Sequence, residues 1–265
     1  MLTRLSRLPR PAALAICAAP LAALLAVAVF APLPFAIALP GPTADVLGSE
    51  DGKPVISVSG APTRETSGQL RMTTISATGP SDNTNLMELA RMWFRTDRAV
   101  MPKEAVYPTG GSDEEIEKHN LEEMTSSQTT AAKAALGFLH KNPDDVKVDL
   151  NLAGVGGPSA GLLFSLGIVD KLDGDGSGGD LTGGRSIAGT GTIGADGEVG
   201  AVGGVALKTQ AARRDGATVF LVPAAECSDA RADLPKGLRL IPVTSLSDAV
   251  NSLRALNRGG EVPSC

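Results

Sequence analysis

Two stretches of the chain hold side chains able to do covalent chemistry together. The first is GVGGPSAGLLF, residues 154–164, where Ser159 follows Pro158 at the head of an apolar run. Gly156 and Gly157 admit backbone conformations closed to other residues, and Pro158 suits the first helical position. Ser159 then falls in the first turn of a helix, where free N–H groups and the helix dipole stabilise negative charge, as an oxyanion hole requires. Pro158 has no N–H, so the donors would be Ser159 itself and Gly157 or Gly156. The plainer alternative is a serine that only caps or packs at a helix start, and this stretch taken alone favours it.

A nucleophilic serine needs a base. His119 and His140 are isolated in the sequence, without a supporting motif, and read as surface residues. Lysine is the other base known for serine. Lys208, in GGVALKTQAARRDGA, shares a helical face with Val205, Ala211 and Ala212 at spacings of three and four. Burial disfavours the charged form of a lysine and lowers its pKa, which would let Lys208 accept the Ser159 proton. A lysine whose stem covers apolar surface while its head reaches water is the ordinary alternative.

Other motifs carry less. DGDGSGGDLTGG, from Asp173, places Asp173, Asp175, Ser177 and Gly178 as a calcium loop would, but Gly184 stands where the bidentate carboxylate belongs, so a flexible loop is the better reading. No G-x-x-x-x-G-K-[ST] motif occurs, so no ATP site is expected. Neither Cys227 nor Cys265 belongs to a CxxC or Cys/His cluster; no metal and no cofactor are expected.

The elements that must position Ser159 and Lys208 form an α+β chain. Arg4, Arg7 and Arg10 precede an apolar run without a charge before Asp45. That run exceeds the ~20 residues needed to cross a bilayer, and the charge asymmetry keeps the amino terminus cytoplasmic. A retained anchor over residues 1–40 is favoured over a cleaved signal peptide with AIA at 36–38 as its processing site. Export permits disulfides, and a Cys227–Cys265 bond is expected to tie down the tail, 259–265. Residues 41–54 have linker composition. The body, 55–258, opens with VISVSG and LRMTTISAT, read as two strands joined by a polar turn, and contains a surface excursion at about 81–124. SSQTTAAKAALGFL is a capped helix and VKVDLNL a strand. A hairpin about Asp196-Gly197, a helix ending near Gly216, two short buried strands and a closing helix capped by Ser245 follow. A net charge of -5 without a dense basic cluster, and only 3% aromatic residues, argue against nucleic-acid partners.

GGPSAGLLFSLGIVDKL, LTGGRSIAGTGTIGADGEVGAVGGVALKTQAARRDGA and VFLVP together resemble the proteolytic domain of Lon proteases, a Ser/Lys-dyad family. With VISVSG, LRMTTISA, VYPTGGSDEE and SSQTTAAKAALGFL, the resemblance extends to membrane-anchored, ATPase-free Lon-like proteases of the bacterial YlbL type. It implies a fold of mixed sheets and packed helices behind one transmembrane helix, protein or peptide substrates, and a ring-like homo-oligomer, a hexamer. It places the nucleophile of P-S-A-G on Ser159, the base of G-G-x-x-x-K on Lys208, and a lysine-orienting hydroxyl of T-G-x-I on Thr190. Two departures stand out. Gly156 replaces an acidic residue common three places before the serine, and HKNPDDVKVDLNLAG leaves no room for the PDZ domain of the YlbL type.

The expected activity is therefore an ATP-independent, membrane-anchored serine endopeptidase acting on unfolded or flexible proteins outside the cytoplasm. The competing reading is a catalytically silent, membrane-anchored scaffold with the same fold. A signal-peptidase-like Ser/Lys enzyme fits less well, because its nucleophile would lie close behind the membrane segment.

Overall fold

The computed structural model describes residues 9–92, 94–107, 112–152 and 157–265. It begins with α1 (Arg10–Phe30), started by Pro9 and Pro11, which is apolar and exposed along its length. Pro11–Phe30 is long and apolar enough to cross a membrane.

The next strand corrects the sequence reading. β1 (Phe35–Asp45) runs through the end of the expected anchor and into the expected linker. Ala36, Ile37 and Ala38 are buried in it, and a register shift between Pro40 and Thr43 accommodates the prolines, which cannot donate to a ladder. A Pro/Gly-rich composition thus marks a bulge within a sheet strand rather than a connection between domains.

β2 (Ser49–Glu50) and β3 (Lys53–Pro54) form a small hairpin about Asp51 and Gly52, both at positive φ. β4 (Ile56–Ser59) and β5 (Gln69–Ala77) are not paired with each other, contrary to the sequence reading. β4 pairs with a strand far downstream, and β5 enters the main sheet. Arg64, between them, donates to the carbonyls of Asp170 and Gly178 and so pins the crossover to the opposite end of the fold. Alternation identifies a strand but leaves its partner open.

The stretch expected as a surface excursion contributes α2 (Leu86–Met92), β6 (Ala99–Pro102), α3 (Lys103–Val106) and the first half of α4 (Asp113–Phe138). β6 is an edge strand of the main sheet. The acidic run is the start of α4: Ser112 accepts from the Glu115 N–H, Glu115 returns a bond to the Ser112 N–H, and Asp113, Glu114 and Glu115 sit at the positive end of the dipole. Residues 139–146 then turn directly into β7 (Lys147–Leu150), the partner of β4.

The remainder alternates. α5 (Gly161–Leu172), β8 (Ser186–Gly189), the β9–β10 hairpin (Thr192–Ile193 and Val199–Gly200), α6 (Val205–Arg214) and β11 (Val219–Pro223) are followed by α7 (Cys227–Arg231), β12 (Arg239–Val243) and α8 (Leu246–Asn257). Ser245 caps α8 by accepting from the Asp248 N–H. Among the described residues the main sheet has the order β12-β11-β8-β5-β1-β6, with its β12-to-β5 half parallel and its two β1 pairings antiparallel.

Alternate residues of these strands feed two cores. Leu70, Met72, Ile187, Leu221 and Ile241 pack with α4, α5 and α8, whereas Ala188, Phe220, Val222 and Leu240 pack with α6 and α7. The fold is thus α+β, with helices on both faces of a mixed sheet. The Cys227–Cys265 disulfide, with Cα atoms 5.2 Å apart, fastens the tail to α7.

Candidate active site

Ser159 lies in a single 3-10 turn, Pro158–Ala160, that leads into α5. Gly157, immediately before it, has φ 87°, a conformation that a side chain would strain. The turn is held from two sides. From α4, Ser127 Oγ donates to the Pro158 carbonyl, and the Asn120 carbonyl accepts the Gly157 N–H at 3.1 Å. From the strand ends, the Gly191 N–H and the Thr190 hydroxyl both donate to the Ser159 carbonyl, at 2.9 and 3.3 Å. Gly161 completes the turn, since a Cβ there would press on Ile193.

Lys208 sits in the second turn of α6, which starts at the left-handed Gly204. Only 3% of the residue is exposed, and Nζ donates to Thr190 Oγ1 at 3.0 Å. The apolar face with Val205, Ala211 and Ala212 is buried as its spacing predicted. Burial lowers the lysine pKa to about 8, against the opposing pull of the Glu226 carboxylate. Thr190 is itself fully buried and stands between the lysine and the Ser159 backbone. Its hydroxyl accepts from the amine and donates to the carbonyl, which fixes where Nζ points.

One cleft of about 400 Å³ contains both Ser159 and Lys208 in its lining. Thr192, Val202 and Gly203 form one wall; Asn120, His119 and Glu123 of α4 form another. His119 is a partly exposed surface residue, as its sequence suggested, but it lines the cleft, with Nε2 3.6 Å from Glu123 Oε1. His140 is exposed at positive φ, past the end of α4.

Glu226 had no signal in the sequence beyond following a buried strand. Its Oε1 accepts the Val202 N–H at 2.9 Å and so holds the cleft wall, while Oε2 is buried without a hydrogen-bond partner among the described residues. Burial raises the Glu226 pKa, and neighbouring Asp229 adds to this; Lys208 opposes it. Each member of the Lys208–Glu226 pair is pushed toward neutrality by desolvation and partly held back by the other. At Glu226 desolvation outweighs both the Val202 N–H bond and the attraction of Lys208, and at Lys208 it outweighs the attraction of Glu226.

Of the two glycines considered as oxyanion donors, Gly156 lies outside the described residues. The Gly157 N–H is taken by the Asn120 carbonyl, so it would have to leave that bond to meet an oxyanion. The acidic loop behaves as a self-bonded turn: Asp175 Oδ1 accepts from the N–H groups of Ser177 and Gly179, and Asp173 faces Arg254. Among the described residues no group of three His, Cys, Asp or Glu side chains is placed to hold a metal ion.

A serine at the head of a buried helix, beside a desolvated lysine in one cleft, has the makings of a serine hydrolase site. Residues 122–255, just over half of the chain, match the family model of the Lon protease (S16) C-terminal proteolytic domain, and the chain belongs to this family of serine peptidases. The matched span includes Ser159, Thr190, Lys208 and Glu226.

Proposed function

We propose that the chain is a membrane-anchored, ATP-independent endopeptidase in which Ser159 is the nucleophile and Lys208 the base. The observation that carries this reading is the burial of Lys208, with its pKa lowered to about 8 and its amine bonded to Thr190, in the cleft that Ser159 also lines. Neutral Lys208 takes the proton from Ser159 Oγ as the oxygen bonds to the scissile carbonyl carbon. The charge on the carbonyl oxygen is met by the Ser159 N–H and by the Gly157 N–H once it leaves the Asn120 carbonyl. The carbon–nitrogen bond then breaks as the lysine ammonium protonates the leaving amine. Water, giving its proton to the same lysine, attacks the ester and releases the acid, restoring Ser159. Thr190 holds Nζ in line throughout.

Retention of the anchor is supported by β1. The possible processing site at 36–38 is buried in a strand, and cutting after Ala38 would remove every residue that pairs with β6. Arg4 and Arg7 before the apolar helix and Arg10 at its first position support an extracytoplasmic body. The substrates are unfolded or flexible protein segments, and the chain works as a ring-like homo-oligomer, a hexamer by family resemblance. The chain itself carries no nucleotide-binding motif, and substrate entry is left to the catalytic cleft.

The test is cleavage of an unfolded protein by the full chain in detergent without ATP, beside Ser159→Ala and Lys208→Gln. Cleavage by the unaltered chain and loss in both variants is the expected outcome. Equal cleavage by all three would sink the dyad, and folded, oligomeric, inactive protein throughout would favour the scaffold.

A further inference from the structure

The segment behind β5 leaves large apolar side chains in solvent beside the end of α1. Leu86 and Met87 of α2 are 46% and 42% exposed, and Phe94 just beyond is 88% exposed. No residue of α2 is buried, so this helix is not held by a core of its own. Such a cluster ordinarily marks a surface that meets something else. Exposed Arg91 and Arg95 are interspersed with it, and the stretch 86–98 sets three arginines against Glu88 and Asp97.

The backbone fixes where this cluster stands. α1 packs against α2, and three residues past Phe30, the last of α1, the Leu33 N–H donates to the Thr84 carbonyl at 2.8 Å. A helix of 21 residues is ~30 Å long, the thickness of a hydrocarbon core. A spanning α1 therefore brings Phe30 to the boundary of the bilayer, and the Leu33–Thr84 bridge brings the start of α2 to the same level. That is the depth at which short amphipathic segments with apolar and arginine side chains settle.

We propose that residues 86–98 form a second, interfacial contact with the membrane. Leu86, Met87 and Phe94 enter the acyl boundary and Arg91 meets lipid phosphates, while Arg95 is held by Asp97 through two hydrogen bonds of 2.8 Å. The inference rests on the reading of α1 as a retained anchor. A second copy of the chain is a poorer occupant, because the Leu33–Thr84 bridge sets the cluster at the level of the bilayer surface, where lipid already meets it. The consequence is orientation. A domain hung on one helix can swing, whereas two contacts fix its tilt. β6 and α3 follow this segment directly, and Ala105 and Val106 of α3 line the catalytic cleft. The cleft mouth is thereby held at a set height above the lipid, favouring chain segments that emerge close to the membrane surface.

Trp93, the only tryptophan, falls within the segment and reports on it. The full chain is reconstituted in vesicles of phosphatidylcholine with a minor share of phosphatidylglycerol, with or without bromine on the acyl chains. Trp93 emission is expected to be quenched by the brominated lipid and shielded from aqueous iodide. The double variant Leu86→Asp, Phe94→Asp should reverse both effects, with its circular dichroism unchanged and the protein still resisting alkaline carbonate extraction. Unquenched, iodide-accessible Trp93 in a carbonate-resistant unaltered chain overturns the interfacial contact and leaves the anchor standing. Shielding from both bromine and iodide also overturns it, in favour of cover by a second copy. Extraction of the unaltered chain by carbonate overturns the anchor reading and the inference with it.

Discussion

Two helices each bury one ionisable side chain, and they do so for opposite ends. Asp170 on α5 is fully buried; its Oδ1 accepts the Leu181 N–H at 2.7 Å and lies 3.8 Å from Arg64. It ties the β4–β5 crossover and the acidic loop to the core. Burial, with Asp180 adding to it, raises its pKa to about 6, although the Leu181 N–H and Arg64 pull the other way. Lys208 on α6 has a hydroxyl for a partner and a cleft in front of it. A buried charge fastened by backbone and counter-ion holds structure, whereas one left beside open space is poised for proton transfer. Burial makes the charged form costly at both, but only Lys208 lines the cleft.

Removing each group should separate the two roles. Lys208→Met is expected to lower kcat/KM on the order of 10,000-fold, while raising resistance to urea at pH 7. The sign follows from linkage: the folded pKa, about 8, lies below the unfolded value near 10.5. The lysine's unfavourable contribution therefore grows as pH falls from 10.5 to about 8 and is fully present below. A variant less stable than the unaltered chain at pH 7 would break this side of the comparison.

Asp170→Ala should cost ~1–3 kcal/mol in urea unfolding, since it leaves the buried Leu181 N–H unmet and takes one carboxylate from Arg64, which keeps its bonds to backbone carbonyls and Asp180. Asp170→Asn keeps an oxygen for Leu181 and should lose much less. Because the Asp170 pKa is raised above the ordinary 3.8, its ionisation weakens the folded state as pH rises from about 4 through about 6, and Asn should remove that slope. Neither variant should move the pH dependence of cleavage; a shift would show that Asp170 reaches the site.

Thr190→Val should reduce kcat by about 100-fold with little change in KM, by freeing the amine from its hydroxyl, and Thr190→Ser should recover most of it. The smallest effect is expected from Glu226→Gln, which keeps an oxygen for the Val202 N–H and removes a charge. Cleavage rises with pH as Lys208 loses its proton around 8, and without Glu226 this rise should shift to lower pH, giving roughly a two-fold gain at pH 7. His119 and Glu123 at the cleft mouth and Asp229 beside Glu226 remain in place, so their contributions are common to both curves. An unchanged profile would leave Glu226 as a support for the cleft wall only.

Local signals in the chain were sufficient for much of this. Gly-Gly-Pro-Ser before an apolar run marks a helix start from a few neighbouring residues, and Lys208 on an apolar face follows from helical period alone. Ser245 and the Asp196-Gly197 turn were equally readable, being set by side chains within four residues of the bonds they make. The start of α4 is hard to read because its acidic first turns lack an apolar stripe, although the Ser112–Glu115 capping box marks it. β1 is hidden because its prolines and glycine signal a turn unless the bulge that absorbs them is known.

What the sequence by itself determined is a partial inventory: a spanning-length apolar helix, a Gly-Pro-Ser helix start, a lysine on a core face and the alternation of strands and helices after Ser159. Only the tertiary structure decided that β4 pairs with β7 rather than β5, that Thr190 stands between Lys208 and the Ser159 backbone, and that His119 and Glu226 belong at the cleft. The physical reason is range. Helix periodicity and caps depend on neighbours along the chain, whereas strand pairing and the desolvation that depresses the lysine depend on what distant segments bury against each other.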